Sequence, residues 1–164
     1  MADAKLMFAS ALSDTNNLGT CKTSRDLDPD TPDMEIDLPE SYDWREAYPQ
    51  CVQEPVTTNY GERNCSSSYA FATIGVVQDK ICQATNKTVQ LSIQEVIDCD
   101  QNQQGCEGGY VNKVLQWGKK KGFITADCHE YIGQKSECEV DHFETNECRL
   151  ENTVYKVNDY CLAL

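Results

Sequence analysis

Three consecutive serines, Ser66-Ser67-Ser68, open an apolar stretch that continues through Tyr69, Ala70 and Phe71. Phe71, Ile74, Val77 and Ile81 then recur at spacings of three and four, the pattern of one helical face, so Ser68 is expected at the start of a helix. A hydroxyl there acts as a nucleophile only if a base stands ready to take its proton in the transition state. The chain holds two histidines, His129 and His142, both in cysteine-bearing loops downstream and both expected to be ordinary surface residues. The residue types therefore supply a candidate nucleophile without an evident base.

The ten cysteines are the other chemical resource, at 21, 51, 65, 82, 99, 106, 128, 138, 148 and 161. No Cys-x-x-Cys pair occurs, and the two histidines form no zinc-ligand array with them. We therefore expect no metal and no cofactor, and read the cysteines as disulfides made in an oxidising compartment: the secretory pathway, a lysosome- or vacuole-like organelle, or the extracellular space. Asn86-Lys87-Thr88 is a glycosylation sequon; Asn64-Cys65-Ser66 is formally another, but a poor acceptor once Cys65 is bridged.

A length of 164 residues is enough for one domain with a core. Asp and Glu outnumber Lys and Arg 27 to 14, giving a net charge of −13, which argues against nucleic acid and anionic membrane surfaces as partners. No stretch is long enough to insert across a membrane. Leu6 to Leu12 is apolar but short and follows Asp3, unlike the basic start and longer apolar core of a secretory signal. Residues 13–37 are polar and acidic, with Pro29 and Pro32. Residues 1–37 are thus read as an acidic leader or residual pro-segment and 38–164 as the folded body.

That body must position Ser68. Leu38 to Arg45 reads as an extended, strand-like start. Ser66 or Ser67 can cap the first helix, which Asn86 ends. Ser92-Ile93-Gln94-Glu95 is a capping box opening a second helix that runs to about Cys99. A third spans roughly Val111 to Lys121, with Val111, Val114, Leu115 and Trp117 on its apolar side, lysines at its C-terminal end and Gly122 as its stop. Val154 to Val157 alternates like a short strand.

Several of these segments, in order, resemble the papain family of cysteine peptidases, in particular its cathepsin B and cathepsin C branches. Leu38 to Arg45 is similar to the mature start of those enzymes, and Tyr48-Pro49-Gln50-Cys51 to cathepsin B. Cys65-Ser66-Ser67-Ser68-Tyr69-Ala70-Phe71 resembles the family's Cys-Gly-Ser-Cys-Trp-Ala-Phe, with Ser68 in the nucleophile's place and Tyr69 in the tryptophan's. Leu91 to Cys99 is similar to a cathepsin C run, and Gly105-Cys106-Glu107-Gly108-Gly109 is the Gly-Cys-x-Gly-Gly block.

The resemblance implies an α+β architecture: a mainly helical left lobe braced by disulfides, with the right β-barrel lobe, which carries the family's catalytic histidine and asparagine, not in this chain. A second chain, or that missing lobe, would then be a partner. It implies four bridges: Cys51–Cys82, Cys65–Cys106, Cys99–Cys138 and Cys128–Cys148. Cys21 and Cys161 stay unassigned. The family's oxyanion glutamine falls on Tyr60 or on Glu62, depending on whether the alignment is anchored on Gly61 or on Cys65. Either change removes a donor of a kind worth about 10²–10³ in rate. Gly108 and Gly109 match the glycines whose backbone pairs with an extended peptide, and Tyr110 would line the adjoining pocket; alternatively the glycines only let the chain turn beside the bridge at Cys106.

A papain-type thiol works because its surroundings draw its pKa from about 8.5 to roughly 3.5–7.5, where it is a thiolate. An alcohol in those surroundings stays protonated. The leading reading is a catalytically inactive papain-family homologue serving as a binding or structural subunit. Two others stand beside it: a processed heavy-chain fragment of an active cathepsin-type peptidase completed by a second chain, and a matrix component akin to the silicateins, which with the tubulointerstitial nephritis antigen group also carry serine at this position.

Overall fold

The computed structural model describes residues 6–8, 39–53, 65–138, 154–158 and 160–162. Four helices, α1 (Trp44–Ala47), α2 (Ser68–Thr85), α3 (Ile93–Cys99) and α4 (Val111–Lys120), carry the described part. Single 3-10 turns at Pro49–Cys51, Gly105–Glu107 and Ala126–Cys128 follow α1, α3 and α4. Two short strands, β1 (Leu6–Phe8) and β2 (Tyr160–Leu162), pair in parallel with Leu6 opposite Tyr160. Residues 6–8 are thus tied to residues 160–162 by backbone pairing.

The 18-residue α2 is the axis of the molecule. Its Ala70, Ile74 and Val77 are buried against Val96 and Ile97 of α3 and Val114, Leu115 and Trp117 of α4, with Leu91, Phe123 and Val157 closing the core. Of the apolar residues spaced by three and four, Ile74 and Val77 lie on this buried stripe, Ile81 packs half-buried against it, and Phe71 is half-buried beside Tyr131. Asn86 stops α2 in the left-handed conformation (φ 58°) with its N–H on the Cys82 carbonyl. Gly122 (φ +81°) lets the chain leave α4. Gly118 admits the Phe123 ring, whose Cε2 and Cζ would lie within 2.3 Å of any Cβ there.

The structure corrects three local expectations. Residues 39–43 join no sheet, and Trp44–Ala47 winds into α1, because Asp43 caps it by accepting the Arg45 N–H at 2.8 Å. Val154 to Val157 forms no strand: Tyr155 makes one isolated bridge, to Phe123, and Val157 is buried. The Ser92 capping box closes on one side only. Ser92 Oγ accepts the Glu95 N–H at 3.0 Å, but the Glu95 carboxylate accepts the Ile124 N–H at 3.0 Å instead of turning back. The Ser92 N–H goes to the Ile124 carbonyl, so both ends of the motif serve the 123–125 segment.

Bridges Cys51–Cys82, Cys65–Cys106 and Cys99–Cys138 are all formed. They tie the segment before α2 to its C-terminal end, its N-terminal turn to the Gly105–Glu107 turn, and α3 to the loop beyond Tyr131. Cys128 is also in a disulfide; its expected partner, Cys148, lies outside the described residues, as do Cys21, Tyr60, Glu62 and His142.

Candidate active-site cleft

Ser68 is the first residue of α2 and is exposed. Its position follows from its neighbours. Cys65 is bridged to Cys106, and the Ser66 N–H donates to the Cys106 carbonyl at 2.8 Å, so the turn before Ser68 is stitched to the Gly105–Glu107 segment. Ser67, at the N-cap, is buried and makes no side-chain cap. Its hydroxyl instead lies 2.9 Å from the Tyr131 hydroxyl and donates to the Cys65 carbonyl at 3.4 Å. The Tyr131 ring also meets Phe71 edge-on at 4.9 Å. The cap position was legible in the sequence, but the hydroxyl's partner lies 64 residues away.

Tyr69 explains the glycine block. It is buried, and its hydroxyl donates to the Gly105 carbonyl at 3.0 Å. Burial, and then the charges of Asp100 and Asp98, push its pKa up to about 12, so the phenol stays a donor. Its ring packs under Gly109: a Cβ at that position would sit 2.6 Å from Tyr69 Cε2 and 2.4 Å from Gln103 Oε1. Gly108 has open space around it but a φ of +116°, which strains any other residue. One glycine is thus fixed by crowding and its neighbour by backbone conformation.

The buried Gln103 carboxamide holds the wall that follows. Its Oε1 accepts the Tyr110 N–H at 2.8 Å, while its Nε2 donates to the Tyr110 carbonyl at 3.3 Å and to Asp100 Oδ2 at 3.1 Å. Tyr110 itself is exposed, with the Lys113 ammonium 4.7 Å from its ring centre. The structure therefore packs Tyr69, next to Ser68, against Gly109, and ties the turn before Ser68 to the segment that leads to Gly108, Gly109 and Tyr110 through the Cys65–Cys106 bridge. Sequence reading missed Gln103, whose role only the fold of 100–110 reveals.

His129 is not the surface histidine expected from sequence. Its side chain is 16 % exposed, and its Nε2 lies 2.9 Å from Asp98 Oδ2, a carboxylate with no exposed side-chain surface. Asp98 also accepts from Gln94 Nε2, the Ser136 N–H and Ser136 Oγ. Burial pushes the Asp98 carboxyl up, but the hydrogen bonds from His129, Ser136 and Gln94 outweigh it and hold the pKa below 3.8. The His129 carbonyl accepts from Ser92 Oγ at 2.7 Å. The imidazole thus braces the loop beyond α3. An Asp-x30-His spacing carries no short-range signal, which is why it could not be read from the chain. Among the described residues no cluster of three or more His, Cys, Asp or Glu side chains gathers as a metal site.

Comparison with known proteins agrees with this geometry. The profile of the papain family cysteine proteases matches residues 38–161. Cathepsin B-like CP2 of Giardia intestinalis is 36 % identical over 97 residues, 58 % of this chain and 31 % of the relative. A cysteine proteinase of Theileria parva is 30 % identical over 112 residues, 66 % of this chain and 24 % of the relative. The chain thus spans about a third or less of the curated relatives it matches. Among solved structures, the Carica candamarcensis cysteine protease CMS1MS2 superposes with a TM-score of 0.57 at 26 % identity, over 64 % of this chain and 46 % of that one. The proform of the ragweed pollen allergen Amb a 11, a cysteine protease, gives 0.59 at 23 % identity over 73 % and 34 %, a likeness of fold. Built around a helix whose N-terminal turn is bridged by a disulfide to a Gly-Cys-x-Gly-Gly segment, this chain belongs to the papain family of cysteine proteases.

Proposed function

We propose that this chain is a papain-family lobe without hydrolytic activity of its own, used as a binding or structural subunit. The observation that supports this most is Ser68 itself: an alcohol at the head of α2, while the one imidazole among the described residues is held by Asp98. An alcohol there stays protonated, and the helix terminus cannot make an alkoxide of it. The match of Gly108, Gly109 and Tyr110 to the family's peptide-pairing segment supports an extended peptide bound but not cut. The bridges fit a secreted or lysosome-like protein.

The test is turnover of dipeptidyl and endopeptidase substrates by the purified chain, alone and with any co-purifying partner. No rate above background is expected, and Ser68→Ala should change nothing. A rate that Ser68→Ala abolishes would falsify the proposal. The alternative, a heavy-chain-like piece of a peptidase completed by a second chain, draws support from the partial coverage of the relatives. It predicts that Ser68→Cys in the assembled protein reacts with a covalent thiol-protease inhibitor far faster than a free surface thiol does.

A further inference from the structure

Asn86 lies at the opposite end of α2 from Ser68, and nothing in the cleft uses it. It heads the Asn86-Lys87-Thr88 sequon, and all three residues are exposed. Its backbone caps the helix in the left-handed conformation, after which residues 87–90 run without regular structure, with only Val89 of the four packed against the core. Its carboxamide is oriented: Oδ1 accepts a hydrogen bond from Gln50 Nε2, leaving Nδ2 as the other arm. An N-linked sugar is carried on Nδ2, so the Gln50 bond and the helix cap both survive modification.

From these observations we propose that Asn86 is an N-glycosylation site, carrying an oligosaccharide at the closed pole of the lobe. Asn86 Nδ2 attacks the anomeric carbon of a polyprenyl-diphosphate-linked oligosaccharide. The C–N bond forms as the bond to the diphosphate oxygen breaks; polyprenyl diphosphate departs with the electron pair, and the amide loses one proton to the transferase. No oxidant or reductant takes part. The other sequon, Asn64-Cys65-Ser66, is built differently. Its middle residue is bridged to Cys106 and its Ser66 N–H is bonded to the Cys106 carbonyl, so Cys65 and Ser66 lie against the Gly105–Glu107 turn.

The placement has a consequence for the cleft. An 18-residue helix separates Asn86 from Ser68 by about 27 Å at 1.5 Å per residue. A glycan there leaves the Gly108–Tyr110 wall and the head of α2 uncovered. It stands instead over the end braced by the Cys51–Cys82 bridge. The inference rests on an oxidising, sugar-adding compartment and not on the inactivity of Ser68, so either can fail without the other.

The test secretes the whole chain from a eukaryotic cell line and compares intact mass before and after peptide N-glycosidase treatment in heavy-oxygen water. The expected result is loss of one glycan mass, with the heavy-oxygen label on an aspartate at position 86. Asn86→Gln and Thr88→Ala should each abolish the shift completely, and Asn64→Gln should leave it unchanged. Thr88→Ala keeps the cap residue, so it reports on modification even if Asn86→Gln is poorly secreted. A secreted chain with the bare polypeptide mass, or label at position 64 alone, overturns the proposal.

Discussion

The exchange of sulfur for oxygen at residue 68 acts through acidity. A thiol there is within reach of ionisation by a helix terminus and a cationic neighbour, whereas an alcohol is not. The buried carboxylates of the described part are used to hold loops. Asp98 is the clearest case, buried and accepting from His129, Ser136 and Gln94. Its folded pKa lies below the 3.8 of a free carboxyl, so its contribution is present above about pH 3.8 and lost as pH falls through the lowered value. Asp98→Asn should cost about 1.5–3 kcal/mol near neutrality. That difference from the parent should hold above about pH 3.8 and shrink as pH falls below it, as urea unfolding across a pH series would show. His129→Ala should cost less, because three donors to Asp98 remain.

The elements are coupled through side chains that local rules assign elsewhere. Glu95 sits where a capping box wants it, yet its carboxylate reaches the Ile124 N–H and fixes the segment between α4 and the Ala126–Cys128 turn. Gln78, midway along α2, does the same for the Leu91 N–H at 2.6 Å. We expect Glu95→Ala to destabilise by about 1–3 kcal/mol, since it leaves a buried N–H unpaired. Glu95→Gln keeps an acceptor oxygen and should lose clearly less, as thermal melts of the two variants would reveal. Equal losses would mean that the charge, not the acceptor, does the holding. The three longer helices were readable and α1 was not: the apolar spacing in α2 and α4, Asn86 and Gly122 at their ends, and Ser92 at the head of α3 predicted what formed. The strand-like starts at 38–45 and 154–157 failed because a β pattern needs a neighbouring strand, and a sequence window does not show one.

At the scale of the molecule, a modest helical core is reinforced by covalent ties. Each bridge closes a loop of 31 to 41 residues and should restrict the unfolded chain by about 2–4 kcal/mol. The paired substitution Cys51→Ala with Cys82→Ala is therefore expected to lower the urea midpoint by an equivalent amount. The Ser68 turn should keep its geometry, because Cys65–Cys106 holds that end independently. A hydrogen-exchange comparison should show added exchange near α1 and the C-terminal turn of α2, and none at residues 65–70. Loss of protection at 65–70 would show instead that the two ends of α2 unfold as one unit. The net charge of −13 keeps such a chain soluble well above its isoelectric point of about 4.4.

What the chain alone determined was local: the stretches that wind into α2, α3 and α4, the residue that heads α2, and the motifs and three bridges that tie it to its family. These follow from periodicity, capping chemistry and residue identity, all carried within a few positions. The destination of the buried polar groups was decided only by folding: Ser67 on Tyr131, Gln103 around Tyr110, Glu95 on Ile124, and His129 on Asp98 rather than in water. Removal from solvent obliges each such group to find a partner, and that partner is set by which segments pack together in space.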